Sequence, residues 1–157
     1  SVILITSTEH RPLNRTTCER LTMKNIKYAA AAIALTALSF GAFAAEPIPP
    51  GRKIGEIRGE AISVQEARER VKNVDRIMMV EISDRKAIDA SRSLDPLRFT
   101  NHCCRPNAVL RIRQGRVEIH SMRQIEEGDE ITCDYGETHH EGGMTCRCGV
   151  PGCVGKL

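Results

Sequence analysis

The fold is decided by the stretch Arg98-Phe-Thr-Asn-His-Cys-Cys-Arg-Pro-Asn107. It sets Asn101-His102 before a second turn at Arg105-Pro-Asn107, and both segments are rich in turn-forming residues. Taken alone, an asparagine and a histidine at this position are more typical of a structural turn than of a binding site. The stretch indicates a functional site only in combination with Asp134-Tyr-Gly136 and with the C-terminal run Cys146-Arg-Cys-Gly-Val-Pro-Gly-Cys153.

The composition fits one globular domain and argues against some classes of function. A chain of 157 residues can bury a core of its own. The formal net charge of +3 is compatible with an acidic or a basic partner. Aromatic residues make up 3% of the chain, too few for platforms on which single-stranded nucleic acid stacks. We therefore predict no direct binding of nucleic acid.

The seven cysteines indicate a metal site better than a disulfide framework. Cysteines two residues apart, such as Cys146 and Cys148, are too strained to pair with each other. Together with Cys153 they supply three thiols from one glycine-rich loop, one fewer than a structural zinc site requires. The alternative is three free surface thiols. Candidates for a fourth ligand are Cys103, Cys104, Cys133, His139 and His140.

The first 45 residues allow two interpretations. Met23-Lys-Asn-Ile-Lys27 precedes an uncharged stretch at residues 28–45, and Ala42-Phe-Ala44 matches a signal-peptidase cleavage pattern, which is typical of a secretory signal. The same apolar residues 33–40 also fit a buried strand, with Gly41 turning the chain. We predict the strand. The stretch is alanine-rich and only just long enough to span a bilayer, so a permanent membrane helix is disfavoured.

The remaining chain predicts a mainly β domain with one short helix. Ser63-Val-Gln-Glu66 is a capping-box pattern, and it predicts a helix that continues through residues 67–74. Gln114-Gly115 predicts a hairpin turn. The other expected features are turns at 47–51 and 126–129 and strands at 53–60, 77–82, 86–89, 108–112, 116–121 and 130–135.

Two further groups have a structural and a functional interpretation. Tyr135 is one of two tyrosines, and a buried tyrosine usually does no more than find a hydrogen-bond partner. Its functional interpretation is a phenol that orients a nucleophile. His139-His-Glu141 is better interpreted as a solvated loop than as a metal site, because no third ligand follows at helical spacing.

These residues together resemble a SET domain with a post-SET zinc loop, as in small bacterial-type protein-lysine methyltransferases. Residues 98–107 are similar to the family's Arg-Phe-x-Asn-His-x-Cys-x-Pro-Asn signature. Residues 126–136 are similar to its catalytic strand, and residues 146–153 to its post-SET loop. Residues 39–51 and 54–60 resemble the opening segment and the strand that follows it.

The resemblance implies a fold of several short curled sheets with a knot-like C-terminal core, formed by residues 98–107 and 130–136. It also implies the domain limits: an N-terminal extension without assigned role at 1–32, carrying part of the signal-like segment 23–44, a SET domain at 33–138, and a post-SET zinc loop at 139–157. The implied activity is S-adenosylmethionine-dependent N-methylation of lysine in a protein, possible substrates being histone-like or other basic proteins. The implied compartment is cytoplasmic, and the alternative is secretion.

The resemblance also implies roles for individual residues. Tyr135 would be the catalytic tyrosine, and Cys104 would join the C-terminal thiols as ligand of one structural zinc. Asn101 and His102 would contact the adenine end of the cofactor, largely through backbone groups. The full set of implied site residues is Tyr135 for catalysis, Phe40, Gly41, Ala42, Arg98, Asn101 and His102 for the cofactor, and Cys104, Cys146, Cys148 and Cys153 for the metal.

Three positions depart from the family pattern. Ser39 replaces the first glycine of the opening loop, and Ile57 replaces a tyrosine in the next strand. These departures motivate one alternative, a catalytically inactive SET-like binding module. Cys133 stands where a larger tyrosine or phenylalanine usually limits the number of methyl groups added. A roomier lysine channel is therefore expected, with products beyond monomethyl-lysine.

Overall fold

The computed structural model describes residues 3–5, 41–74, 76–136 and 144–157. These residues form a mainly β fold with one α-helix and one 3₁₀ helix, which confirms the predicted class. The strands are β1 Ile3–Ile5, β2 Ala42–Phe43, β3 Lys53–Ile57, β4 Glu60–Ser63, β5 Met79–Ser83, β6 Lys86–Asp89, β7 Asn101–His102, β8 Ala108–Arg113, β9 Arg116–Ser121 and β10 Glu130–Cys133. The helices are α1 Val64–Val71 and the 3₁₀ helix Pro96–Phe99.

The described strands form two sheets, and β10 is central to the larger one. The smaller sheet has the order β1-β5-β6-β4, and the larger has the order β2-β10-β8-β9-β3. Strand β10 pairs antiparallel with β2 and parallel with both β7 and β8. Three segments that are distant in sequence are therefore brought together at one four-residue strand.

The helix and the hairpin follow from local sequence signals. Ser63 caps α1, since its Oγ accepts the backbone N–H of Glu66 at 3.1 Å. The helix begins at Val64, directly after the predicted cap, but it ends at Val71 rather than at residue 74. Gln114 and Gly115 have φ of 51° and 75°, as the predicted two-residue hairpin turn requires.

The strand predicted at residues 53–60 is instead two strands in different sheets. Strand β3 belongs to the larger sheet and β4 to the smaller one, and the chain crosses between them at Gly59. A Cβ atom on Gly59 would collide with the backbone of Asp89, so this crossing has no room for a side chain. Close packing with a distant residue thus overrides the local strand pattern.

The other boundaries shift by one or two residues. Strand β5 extends to Ser83, and β10 ends at Cys133, which leaves Asp134 and Tyr135 beyond the strand. The predicted strand at 33–40 lies outside the described residues, as do both predicted limits of the SET domain. No helix among the described residues is long and apolar enough to cross a bilayer.

Candidate active site and metal centre

Tyr135 lies just beyond β10 and is held from three sides. Its residue is 2% exposed, and its hydroxyl donates to the backbone oxygen of Thr100 at 2.8 Å. Its backbone N–H donates to Nδ1 of His102 at 3.2 Å. The two rings meet edge to face with centroids 5.2 Å apart. The phenol therefore has a fixed position in the core of the larger sheet.

Asn107 connects residues 98–107 to β10 by hydrogen bonds. Its residue is 7% exposed, and its Oδ1 accepts the backbone N–H of Thr132 at 2.9 Å. Its Nδ2 donates to the backbone oxygen of Glu130 at 2.8 Å. One side chain thus supplies the hydrogen bonds that a neighbouring strand would supply.

The residues expected at the cofactor lie on both edges of β10. Ala42 pairs with Ile131 on one side, and Asn101 pairs with Thr132 on the other. Gly41 has no room for a side chain, because a Cβ atom there would lie 2.7 Å from Oε1 of Glu130. Phe40 falls outside the described residues.

Glu130 lies among these residues, although sequence reasoning assigned it no role. Its Oε1 accepts from Nδ2 of Asn101 at 2.6 Å and faces the space above Gly41. A carboxylate and a carboxamide at one point suit a ligand that carries an ammonium group. The available signal was an acidic residue at the start of a strand expected to be catalytic, which by itself does not show what the side chain faces.

Arg98 lies at the beginning of the same turn. Its Nη1 donates to the backbone oxygen of Ser91 at 2.6 Å, and its guanidinium lies 4.5 Å from the centre of the Phe99 ring. Its Nε is buried and has no hydrogen-bond partner among the described residues. A buried, unpaired donor of positive charge fits a bound anionic group such as a carboxylate.

Four thiols converge at the C-terminal end of the described chain. The Sγ atoms of Cys104, Cys146, Cys148 and Cys153 all lie within 4.8 Å of one another. Cys104 Sγ is 3.6 Å from that of Cys146 and 3.8 Å from that of Cys153. A cluster of four sulfur donors has the composition of a structural zinc site.

The structure separates Cys104 from the other candidates for the fourth ligand. Cys103 and Cys133 are buried, and the backbone N–H of Cys103 donates to the backbone oxygen of Cys133 at 3.0 Å. Neither belongs to the cluster. The candidates His139 and His140 lie outside the described residues. Cys104 therefore lies among the thiols, while the neighbouring Cys103 is buried at 1% exposure.

The C-terminal loop has an unusual backbone conformation, and its surroundings change the pKa values of the clustered thiols. Gly149 and Gly152 have φ of 72° and 77°, a conformation that glycine adopts without strain. Burial raises the pKa of Cys146 and of Cys104. Burial opposes ionisation of Cys148 too, but the backbone N–H groups of Cys104 and Val150, together with the thiols of Cys146 and Cys153, outweigh it and lower its pKa to about 6. The loop thus stabilises a thiolate before any cation adds its own charge.

His102 contacts both the thiol cluster and Tyr135, and Cys133 lies opposite it on β10. Nε2 of His102 lies 3.3 Å from Sγ of Cys104. Burial lowers the pKa of His102, and the Asp134 carboxylate opposes this shift. Burial raises the pKa of Cys133 to about 12, and Asp134 adds to that shift. Cys133 is therefore a small, neutral side chain next to the buried tyrosine.

The comparison with known families agrees with this architecture. A family model described as the SET domain matches residues 39–136, a range that runs from before β2 to Gly136 and contains Tyr135. The chain belongs to the SET domain family. The match ends before the C-terminal cysteines, so the metal assignment depends on the geometry of the thiols.

Similar SET-domain proteins are found among fungal methyltransferases. The chain is 36% identical over 131 residues to a protein of Candida albicans, a match that covers 76% of the chain. It is 33% identical to one of Saccharomyces cerevisiae over 131 residues and 31% identical to one of Mycosarcoma maydis over 146 residues, covering 76% and 85% of the chain. All three are named histone-lysine N-methyltransferase, H3 lysine-4 specific. These matches cover 13%, 12% and 10% of those proteins, which are much longer than this chain.

Proposed function

We propose that this SET domain is an S-adenosylmethionine-dependent protein-lysine N-methyltransferase whose C-terminal loop holds one structural zinc. The observation that carries the proposal is the position of β10. One edge of this strand adjoins Gly41 and the other adjoins Asn101, while its end leads directly to the buried phenol of Tyr135. The names of the fungal relatives support the same activity.

The residues on the two edges of β10 suit the cofactor. When bound, S-adenosylmethionine supplies a methyl group on a positively charged sulfur. Glu130 lies close to the backbone of Gly41, and its carboxylate with the Asn101 carboxamide offers oxygen atoms to an ammonium group. Nε of Arg98 offers a donor to a carboxylate. Asn101 and His102 would present backbone groups to the adenine.

The protein contributes to the reaction by positioning the lysine and keeping it neutral. An ammonium ion has no lone pair, so the amine must lose a proton before it attacks. Burial next to apolar groups lowers the pKa of a lysine, and the neutral Cys133 thiol adds no charge there. The Tyr135 hydroxyl directs its proton towards Thr100. Its oxygen can then accept from the amine and align it.

The four thiols support a structural rather than a catalytic metal. A closed set of four sulfur ligands leaves no position for a substrate or a water molecule.

The six cysteines of the described chain are free thiols, which supports a reducing compartment. For the substrate, we propose a protein that presents a lysine on a basic segment, by analogy with the histone substrates in the names of the relatives.

Replacing Tyr135 by phenylalanine is expected to lower kcat for methyl transfer by about 100-fold or more, since the amine loses its aligning group. The assay follows labelled methyl from S-adenosylmethionine onto a mixture of basic proteins, with mass spectrometry of the labelled band. Tyr28→Phe alters the other tyrosine of the chain and serves as the matched control. Undiminished transfer by Tyr135→Phe, or no transfer by the zinc-loaded wild type, contradicts the proposal.

The size of Cys133 predicts the product. We expect the wild type to form dimethyl- or trimethyl-lysine, and Cys133→Tyr to stop at monomethyl-lysine because the larger ring fills the channel. Intact-mass spectra of a substrate peptide at saturating enzyme measure the product distribution. Spectra of the wild type with a single methyl addition would refute this prediction while leaving the activity itself established.

A further inference from the structure

We propose that His102 is a positioning residue that couples the metal site to the catalytic tyrosine through two hydrogen bonds from one ring. The inference rests on the proposed zinc site and extends it to a side chain whose suggested role so far involved only its backbone. The structural basis is the place of β7, which pairs in parallel with β10 so that His102 is opposite Cys133. The His102 side chain is 7% exposed between the thiol cluster and Tyr135.

The contacts of the ring assign its tautomer. The backbone N–H of Tyr135 can only donate, and it lies 3.2 Å from Nδ1, so Nδ1 carries a lone pair. The proton of the neutral ring is then on Nε2, which lies 3.3 Å from Sγ of Cys104. His102 therefore accepts from the tyrosine and donates to the cysteine.

The other neutral tautomer, with the proton on Nδ1, has a poorer hydrogen-bond geometry. A proton on Nδ1 would turn towards the carboxylate of Asp134, the nearest anionic group, whose Oδ1 is 3.6 Å away. That distance is longer than a hydrogen bond. The same Oδ1 accepts the backbone N–H of Gly136 at 3.0 Å, and Asp134 is exposed. The observed contacts thus favour a proton on Nε2.

The two hydrogen bonds of the His102 ring have different consequences, one for the thiol of Cys104 and one for Tyr135. An N–H group that donates to a metal-bound thiolate stabilises the charge on sulfur and fixes the orientation of the ligand, as outer partners of metal ligands do. At the other end, the acceptor Nδ1 and the edge-to-face ring contact hold the backbone and the ring of Tyr135. Metal loading should therefore order the tyrosine as well as the loop.

Two conservative replacements of His102 each remove one of its two hydrogen bonds and keep the other. In His102→Asn the carboxamide oxygen can take the place of Nδ1, but the side chain is too short to reach Cys104. In His102→Gln the amide can reach Cys104, but it no longer offers an acceptor at the Nδ1 position. His120→Asn is the matched control, because His120 pairs with Glu118 on β9 and does not contact the thiol cluster.

The first measurement uses Co²⁺ in place of zinc and follows the thiolate-to-cobalt charge-transfer band. His102→Asn is expected to move this band to longer wavelength and to weaken cobalt binding by about tenfold, because the sulfur loses its donor. His102→Gln and His120→Asn should keep the band near its wild-type position. An unchanged band and affinity in His102→Asn would overturn the proposal.

The second measurement uses the wild-type protein, so its result does not depend on whether any variant folds. The ¹⁵N shifts of His102 in the wild-type, metal-loaded protein report which nitrogen carries the proton, and Nε2–H is expected. A proton on Nδ1 would overturn the proposal. Both readouts are independent of methyl transfer, so a protein that binds metal but does not methylate would refute the proposed function and still test the role of His102.

Discussion

Replacing Cys104 by serine is expected to remove tight zinc binding and to weaken both the fold and the binding of S-adenosylmethionine. A serine hydroxyl is a poor substitute for a thiolate ligand, and Cys104 is the member of the cluster that comes from outside the C-terminal loop. Structural zinc contributes about 10–16 kcal/mol of binding free energy that is also folding free energy. Losing even about 3 kcal/mol of it lowers the Tm of a domain of this size by roughly 10 °C.

Metal analysis, thermal unfolding and calorimetry with S-adenosylmethionine measure the three effects. The wild type should contain one zinc per chain, and Cys104→Ser should contain none after dialysis. The matched control is Cys103→Ser, whose side chain faces the core rather than the thiols and which should keep the zinc. Loss of zinc from Cys103→Ser, with zinc retained by Cys104→Ser, would show that the neighbouring cysteine is the ligand.

The effect of Cys104→Ser on the cofactor is the more informative result. Cys104 lies two residues after His102 in the chain, and it contacts the His102 ring. Releasing the cysteine should therefore loosen the turn that we propose to bind adenine. Cofactor affinity equal to that of the wild type in a folded, zinc-free protein would show that the two sites are independent.

Replacing Asn107 by alanine is expected to destabilise the protein by about 4 kcal/mol, because two hydrogen bonds of a buried side chain are lost at once. The backbone N–H of Thr132 and the backbone oxygen of Glu130 would lose this partner in a region without ready access to water. Such a loss is large compared with the total stability of a typical domain. Denaturant unfolding of the zinc-loaded protein measures it, with zinc held in constant excess.

Asn73→Ala is the matched control for Asn107→Ala. Asn73 is exposed at the end of α1, and its side chain makes a long contact of 3.5 Å with the backbone of Glu69. Its replacement should change the free energy of unfolding by less than about 0.5 kcal/mol. If Asn107→Ala also stays within that range, Asn107 does not hold the signature segment against β10.

Much of this molecule is predictable from the sequence because the corresponding signals are local. The capping box at Ser63 and the hairpin turn at Gln114-Gly115 act over two to four residues, so neighbouring side chains and φ angles suffice to specify them. The three thiols of the C-terminal loop are likewise close in sequence. The order of these motifs indicated the SET domain, which the family match confirms.

What the sequence could not decide depends on contacts between distant segments. Spacing alone left several candidates for the fourth thiol ligand open and only the family resemblance singled out Cys104, whereas the structure places Cys104, and not the buried Cys103, among the other thiols. The break at Gly59 arises from the close approach of Asp89.

By itself, the sequence determined a mainly β fold, its hairpin and helix cap, and the chemical types present in a cofactor site and a metal site. The tertiary structure alone decided that Glu130 faces Gly41 and Asn101, and that the ring of His102 contacts both the Cys104 thiol and the backbone of Tyr135. The physical reason is the pairing of β10 with three strands. Strand β2 lies some 60 residues before β7 and β8, and β10 follows them, so no short window of sequence contains all the groups that meet there.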